Sequence, residues 1–361
     1  MNMKINAMPT STWNRLHVNE ADAAVISWQP GTEYKAEFPE GILHEKLSAE
    51  EAGDLTITEG PETGMGPAFD EIYRGEGRGC LVLRTLEGTK NTEAVRLTGN
   101  YPDGGQGLGR IAAEVAAGSE LTLVLEAAAE TGAAGTAGVQ LRARLGKNAK
   151  LTVYETEMLG PEYTGMFDLG VECAEGARAE IVQLFLGTGK IYTGCRTLLA
   201  GNGSSVDISL GYRTARDSRL DMNYVAVHEG RRTDSRLFTS GVLRENAMKV
   251  FRGTIDFRTG AKEAVGDERE EVLLMDDEVI NRTVPVILCS EEDVEGSHGA
   301  TIGRIDEDML FYLQSRGIAE RDVYEMLADA KVDAVRVRIK DAQARERAGQ
   351  YLEGGNGNDE G

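Results

Sequence analysis

The sequence predicts a mainly β protein in which a β-solenoid core is followed by a C-terminal α-helical domain. Three observations carry that prediction. Glycine-led turns at Gly118, Gly146, Gly176, Gly203, Gly230 and Gly260 recur at spacings of 28, 30, 27, 27 and 30 residues. Each introduces a strand-like stretch; after Gly203, Val206, Ile208 and Leu210 fall on one face and Asp207 and Ser209 on the other, the two-residue period of a half-buried strand. No helical periodicity interrupts residues 118–300, and the pattern changes abruptly at Asp306. A sandwich or barrel would also give evenly spaced strands. The constant coil length favours a solenoid, in which each coil buries its apolar row against its neighbours.

Residues 1–70 form a short N-terminal region with no clear repeat. Trp13 and Trp28 are candidate anchors of a small packing unit, 50–53 and 61–67 read as connections, and 75–79 as a turn. The solenoid core is expected over 71–303, with weaker mid-coil turns near Gly160, Gly187, Asp217 and Asn246. Arg142, Arg144, Asp207 and Arg236 occupy outward positions that fit a solvated face. End coils need caps, because open strand edges invite aggregation. A helical domain follows over 304–352. Asp306, Glu307 and Asp308 start its first helix, Met309 to Leu313 form the apolar body and Arg316-Gly317 the stop. Val323, Met326, Leu327 and Ala330 give a second helix its 3.6-residue period, and Ala334 to Leu352 a third. Residues 353–361 read as a disordered tail.

Charge narrows the function. With 39 basic and 60 acidic side chains the chain carries −21, which argues against nucleic acid or an anionic membrane as main partner. Glycine, 44 of 361 residues, exceeds the usual share of about 7% and fits a fold with many tight turns. Nothing resembles a signal peptide over 1–16, nor a span of about 20 apolar residues. Cys80, Cys173, Cys195 and Cys289 are widely separated without CxxC pairing, so they read as small buried hydrophobes in a cytoplasmic protein.

The recognisable nucleotide motifs fail. In Gly187-Thr-Gly-Lys190, Leu184 and Ile191 stand where a phosphate-binding loop needs glycine and Ser/Thr. The glycines of 104–109 lack dinucleotide spacing and read as a loop. Of the four histidines, His17, His44, His228 and His298, the last lies in Glu295-Gly-Ser-His-Gly-Ala-Thr301 between the last strand and the helices. It is either a hydrogen-bonded junction residue or a metal ligand. His228, on an alternating strand, reads as structural. The acidic groups 267–271, 276–278 and 291–293 fall at expected turns and read as solvated charge. No carboxylate pair stands out for glycoside cleavage, so a β-solenoid polysaccharide lyase or hydrolase is the alternative reading.

Ser297-His-Gly-Ala-Thr-Ile-Gly-Arg-Ile-Asp306, followed by Asp308-Met-Leu-Phe-Tyr-Leu-Gln-Ser-Arg-Gly-Ile318, closely resembles the SufB/SufD family of iron–sulfur cluster assembly proteins. Phe251-Arg-Gly-Thr-Ile255, Val272 to Glu278 and Thr12 to Asn19 add to the likeness. The resemblance implies a right-handed parallel β-helix core with a C-terminal helical domain, acting as a non-catalytic scaffold. It implies two partners: a SufC-like ABC-type ATPase docking on the helices, and a SufB-like scaffold subunit paired through the β-helices, with a transient cluster at their interface. Ala319, Val323, Tyr324, Met326, Leu327, Val332 and Val335 are then the expected ATPase-docking residues. His298 matches a SufD histidine implicated as a cluster ligand. The essential SufB-type cysteine has no counterpart near Glu270, which favours a SufD-like role. Gly296 stands where many SufD chains have a cysteine, so stable cluster binding is expected to need the partner's thiolates. In isolation a homodimer is possible.

Overall fold

The computed structural model describes residues 2–12, 14–24, 34–48, 51, 60–75, 79–90 and 93–356. Trp13, Trp28 and the 353–361 tail beyond Asn356 lie outside them. The N-terminal elements are β1 (Asn2–Ile5), β2 (Ala21–Ala24), β3 (Lys35–Glu37), β4 (Ile42–Leu47) and α1 (Pro67–Gly75). Sixteen strands follow: β5 (Cys80–Thr85), β6 (Val95–Tyr101), β7 (Gly105–Val115), β8 (Glu120–Ala129), β9 (Gly135–Leu145), β10 (Lys150–Met158), β11 (Tyr163–Cys173) and β12 (Arg178–Phe185). The second eight are β13 (Lys190–Leu199), β14 (Ser205–Thr214), β15 (Arg219–His228), β16 (Asp234–Leu243), β17 (Met248–Phe257), β18 (Ala264–Leu274), β19 (Ile280–Cys289) and β20 (Val294–Gly303). Three helices close the chain: α2 (Glu307–Ser315), α3 (Glu320–Arg336) and α4 (Ala342–Asn356). The glycines of 104–109 expected in a loop thus mostly belong to β7.

Strands alternate between two sheets. Even-numbered strands from β6 to β20 pair in parallel in one, odd-numbered strands from β5 to β19 in the other, making about eight coils. The inward rows pack into one continuous apolar column from Ile42 to Val272. One corner stack explains the period. Gly118, Asn148, Gly176, Gly203, Arg232 and Glu263 all take φ between 53° and 67°, and each amide of this series donates to the turn of the next coil, as Gly118 does to Lys147 and Gly203 to Arg231. The glycines read from sequence at 146, 230 and 260 lie two or three residues earlier. At Gly146 a Cβ would come within 2.8 Å of the Ala117 amide nitrogen, so that glycine serves close approach while Asn148 makes the left-handed turn.

Both outer sheet faces are partly covered. α3 lies across β14 and β16, held by Val332 and Val335 packing with Val182 and Leu184, by Arg213 to Glu325 at 2.9 Å, and by Ser240 Oγ donating to the Lys331 carbonyl at 2.8 Å. The odd-strand sheet is covered by the N-terminal segment. Met65 donates to Asp168 Oδ1 at 2.8 Å, Asn223 to the Gly64 carbonyl at 2.8 Å, and Arg142 pairs with Asp70 of α1. Arg142 is therefore buried, not part of a solvated face. Residues 60–70 cover it from far away in sequence.

At the first coil, β3 and β4 add antiparallel to β6 and β5 and form the edge strands of that end. At the last coil β19 and β20 each have one unpaired edge, and along β20 every residue from Glu295 to Ile302 is exposed. No described helix is long and apolar enough to cross a membrane.

Candidate functional site at the open end and helical face

The last coil presents the interior of the solenoid to solvent. Along β18 burial alternates, so Ala264, Gly266, Glu268, Glu270 and Val272 point inward. Their register partners on β20 are Val294, Gly296, His298, Ala300 and Ile302. Two contacts fix the same phase on β20. A Cβ on Gly296 would reach Phe257 and Ile287 inside the column, and Ser297, one residue on, bonds outward to Asp267 at 2.6 Å. His298 therefore belongs to the inward row, directly over Glu268, and is exposed only because no coil follows.

Behind that coil lies a buried polar group. The Lys249 side chain is completely enclosed and pairs with Glu270; it also donates to Thr283 Oγ1 at 3.0 Å, and Thr283 donates to Glu270 Oε2 at 2.6 Å. Burial pulls the Lys249 ammonium down, opposed by Glu270. Burial, then the Glu270 charge, pushes the Glu268 carboxyl up to about 8. The expectation of solvated turn charge over 267–271 is thus corrected: these residues form a strand, and Glu268 and Glu270 are 3% and 2% exposed. Lys249 and Thr283 gave no sequence signal, because a charged residue on an alternating strand reads as outward.

The remaining candidates separate cleanly. His228 is buried, its ring nitrogens 2.7 Å from Thr233 Oγ1 and 2.8 Å from Ser235 Oγ, and burial lowers it to about 4. Cys80, Cys173 and Cys195 are buried, and burial raises their thiols to about 11, 12 and 12, so they sit in the core as neutral thiols away from the surface. Cys289 is exposed, its thiol donating to the Glu291 carbonyl at 3.0 Å. It sits two residues beyond Ile287, which faces Gly296, whereas His298 lies two residues beyond Gly296 along the oppositely placed strand. About four strand positions, roughly 13 Å, separate them, too far for one metal. Among the described residues no group of three or more His, Cys, Asp or Glu is arranged to hold an ion.

The expected docking residues do not share one surface. Val323, Val332 and Val335 are buried under α3, so they hold the helix to the solenoid and are unavailable to a partner. Leu327 packs partly beside Val242 and Leu273, Tyr324 is half-buried, and Ala319 and Met326 are exposed. The exposed apolar face lies mainly on α2, which buries no residue. Met309, Phe311 and Tyr312 are 50%, 72% and 54% exposed, and Met326 on α3 is 59% exposed. The Met309–Leu313 apolar run was legible; that no described residue covers most of it was not.

Fold and site together define a parallel β-solenoid protein whose last coil no described residue covers. Residues 100–331 match the family described as SUF system FeS cluster assembly, SufBD core domain, and the chain belongs to that family as a SufD-like member. It is 26% identical over 246 residues to the iron-sulfur cluster assembly protein SufD of Escherichia coli, covering 67% of this chain and 58% of that one. It is 29% identical over 101 residues to SufD of Bacillus subtilis, covering 28% and 23%. A SufBD family protein of Staphylococcus saprophyticus is 28% identical over 138 residues, covering 38% and 29%. The matches thus span less than two thirds of each relative's length.

Proposed function

We propose that the chain is a scaffold subunit of a SufBCD-type iron–sulfur cluster assembly complex. The cluster is cargo, formed transiently where the last coil meets a SufB-like partner. The observation that carries this reading is the uncovered last coil, with two unpaired edges and His298 on its inward row. A strand edge of that length is a ready template for another chain, and the apolar residues Ile280 and Ile302 on the last two strands are 43% and 41% exposed. Imidazole is a competent ligand for iron, but three of the four thiols are enclosed and only Cys289 is exposed, so most of the thiolates a cluster prefers come from the partner. ATP hydrolysis belongs to a SufC-like ATPase seated on the apolar face of α2 and Met326. That assignment replaces the buried valines of α3 as contact residues.

The test is affinity capture of the tagged full-length chain from its native cells. Wild type should recover an ABC-type ATPase and a SufB-like chain. Met309→Ala with Phe311→Ala should lose the ATPase alone, and Ile280→Glu with Ile302→Glu the SufB-like chain alone. Recovery of neither partner by a folded wild-type chain would overturn the scaffold reading. In the absence of partners the same edges can pair two copies, which the solution mass of the purified chain reports.

A further inference from the structure

We propose that Glu268 is the positioning residue of His298: a buried carboxyl that holds one imidazole nitrogen so that the other faces out of the open end. The inference rests on the reading of His298 as a ligand to the assembled cargo, and it adds a residue that carries no motif. Register places Glu268 and His298 side by side on β18 and β20, one strand spacing of about 4.8 Å apart, both on the inward row. Of the two buried carboxyls behind the last coil, Glu270 is already occupied by Lys249 and Thr283 and lies beneath Ala300, which has no polar side-chain atom. Glu268 is 3% exposed, makes no hydrogen bond to any described residue, and lies beneath the one inward residue of the last coil that can donate to it from a ring nitrogen.

Its carboxyl feels the Lys249 charge but reaches no hydrogen-bond partner among the described residues. A Cβ on Gly253 would collide with the Glu268 carboxyl, so the carboxyl rests against the β17 backbone. Leu237, Ile255, Ser235 and Thr254 line the small cavity beside it, where there is room for about one water. A nearly buried carboxyl is stabilised by a donor, and the imidazole above has one on its ring. A ligating histidine typically donates its second ring N–H to a carboxylate or carbonyl, which fixes tautomer and ring orientation. Glu268 does this from behind the coil. It is not itself a ligand, because His298 stands between it and anything arriving at the edge.

The test reads the tautomer directly. In full-length protein labelled with 15N-histidine, long-range proton–nitrogen correlation at a pH where the ring is neutral separates the two tautomers. His298 is assigned by the signal lost in His298→Gln. Wild type should show one dominant tautomer, and Glu268→Gln the same one, since a carboxamide oxygen still accepts the N–H. Glu268→Ala and the volume-filling Glu268→Leu should relax the ring to the mixture seen in a free imidazole, while Glu270→Gln leaves it unchanged. Co2+ titrated against His298 should then bind 10–100-fold more weakly in the Ala and Leu variants, the usual loss for a missing outer partner. A free-imidazole mixture in wild type, or an unchanged tautomer in Glu268→Leu, would overturn the proposal. These signals need no partner and no cluster, so failure of the capture experiment and failure of this one are distinguishable.

Discussion

The Arg252 guanidinium is enclosed between the odd-strand sheet and the N-terminal segment. There Asp221 accepts from Nη1 at 2.6 Å with both side chains fully buried, and the Val18 carbonyl accepts from Nε. Asn6 joins by donating to Asp221 Oδ1 at 2.9 Å. Removing the carboxylate strands a buried cation, so Asp221→Ala should cost about 3–5 kcal/mol in chemical denaturation. The double variant Asp221→Leu with Arg252→Met should recover most of that loss, because an apolar pair of similar volume avoids the desolvation of both charges. A cost below about 1 kcal/mol for the single variant would mean water reaches the guanidinium. This residue, like Arg142, Lys249, Glu268 and Glu270, could not be read as buried from sequence. Alternation assigns a side of the sheet, but the cover over Arg252 comes from a residue 234 positions away.

At the scale of elements, caps and periodicity were the legible part. Asp306 accepts from the Met309 amide at 3.0 Å, and Gly317 at φ +88° ends α2, as the Asp306 to Gly317 pattern implies. Which helical face meets the solenoid was not legible, because α3 carries apolar residues on more than one side: Val332 and Val335 inward, Met326 outward. That division gives opposed expectations for stability and association. Val332→Ala and Val335→Ala should each cost about 1–3 kcal/mol by leaving space against Val182 and Leu184. Phe311→Ala should fall within about 0.5 kcal/mol of wild type while reducing ATPase capture. Thermal melts paired with the capture assay would show the separation. A melt lowered by Phe311→Ala as much as by Val335→Ala would place Phe311 in the core instead of on a docking face.

For the whole molecule, the period announced the coils because every coil must place one residue at the same left-handed corner and one apolar row over the last. It could not announce which end stays open, since the terminal coil has the same pattern as those that are covered. Nor could it show how many acids the fold encloses, and these set the response of the entire fold to pH. Burial is the first cause in each case: Glu155 is raised to about 7, Glu157 to about 8, Asp168 to about 7 and Glu268 to about 8. In the unfolded chain these groups titrate near 4. Between about pH 4 and 8 the folded state therefore holds more protons than the unfolded one, and stability falls as pH rises through that window. His228 acts oppositely. Its folded value near 4 lies below the unfolded value of about 6.5, so its contribution is lost as pH falls through that range. These four strongly raised acids outweigh the one histidine and place the maximum on the acidic side of neutrality, so the melting temperature should decline from there to about pH 8. Glu155→Gln, which keeps a partner for Gln183 but cannot ionise, should flatten the decline between about pH 6 and 8. A melting temperature that climbs steadily to pH 8 would show that these carboxylates ionise freely in the folded chain, with water reaching them.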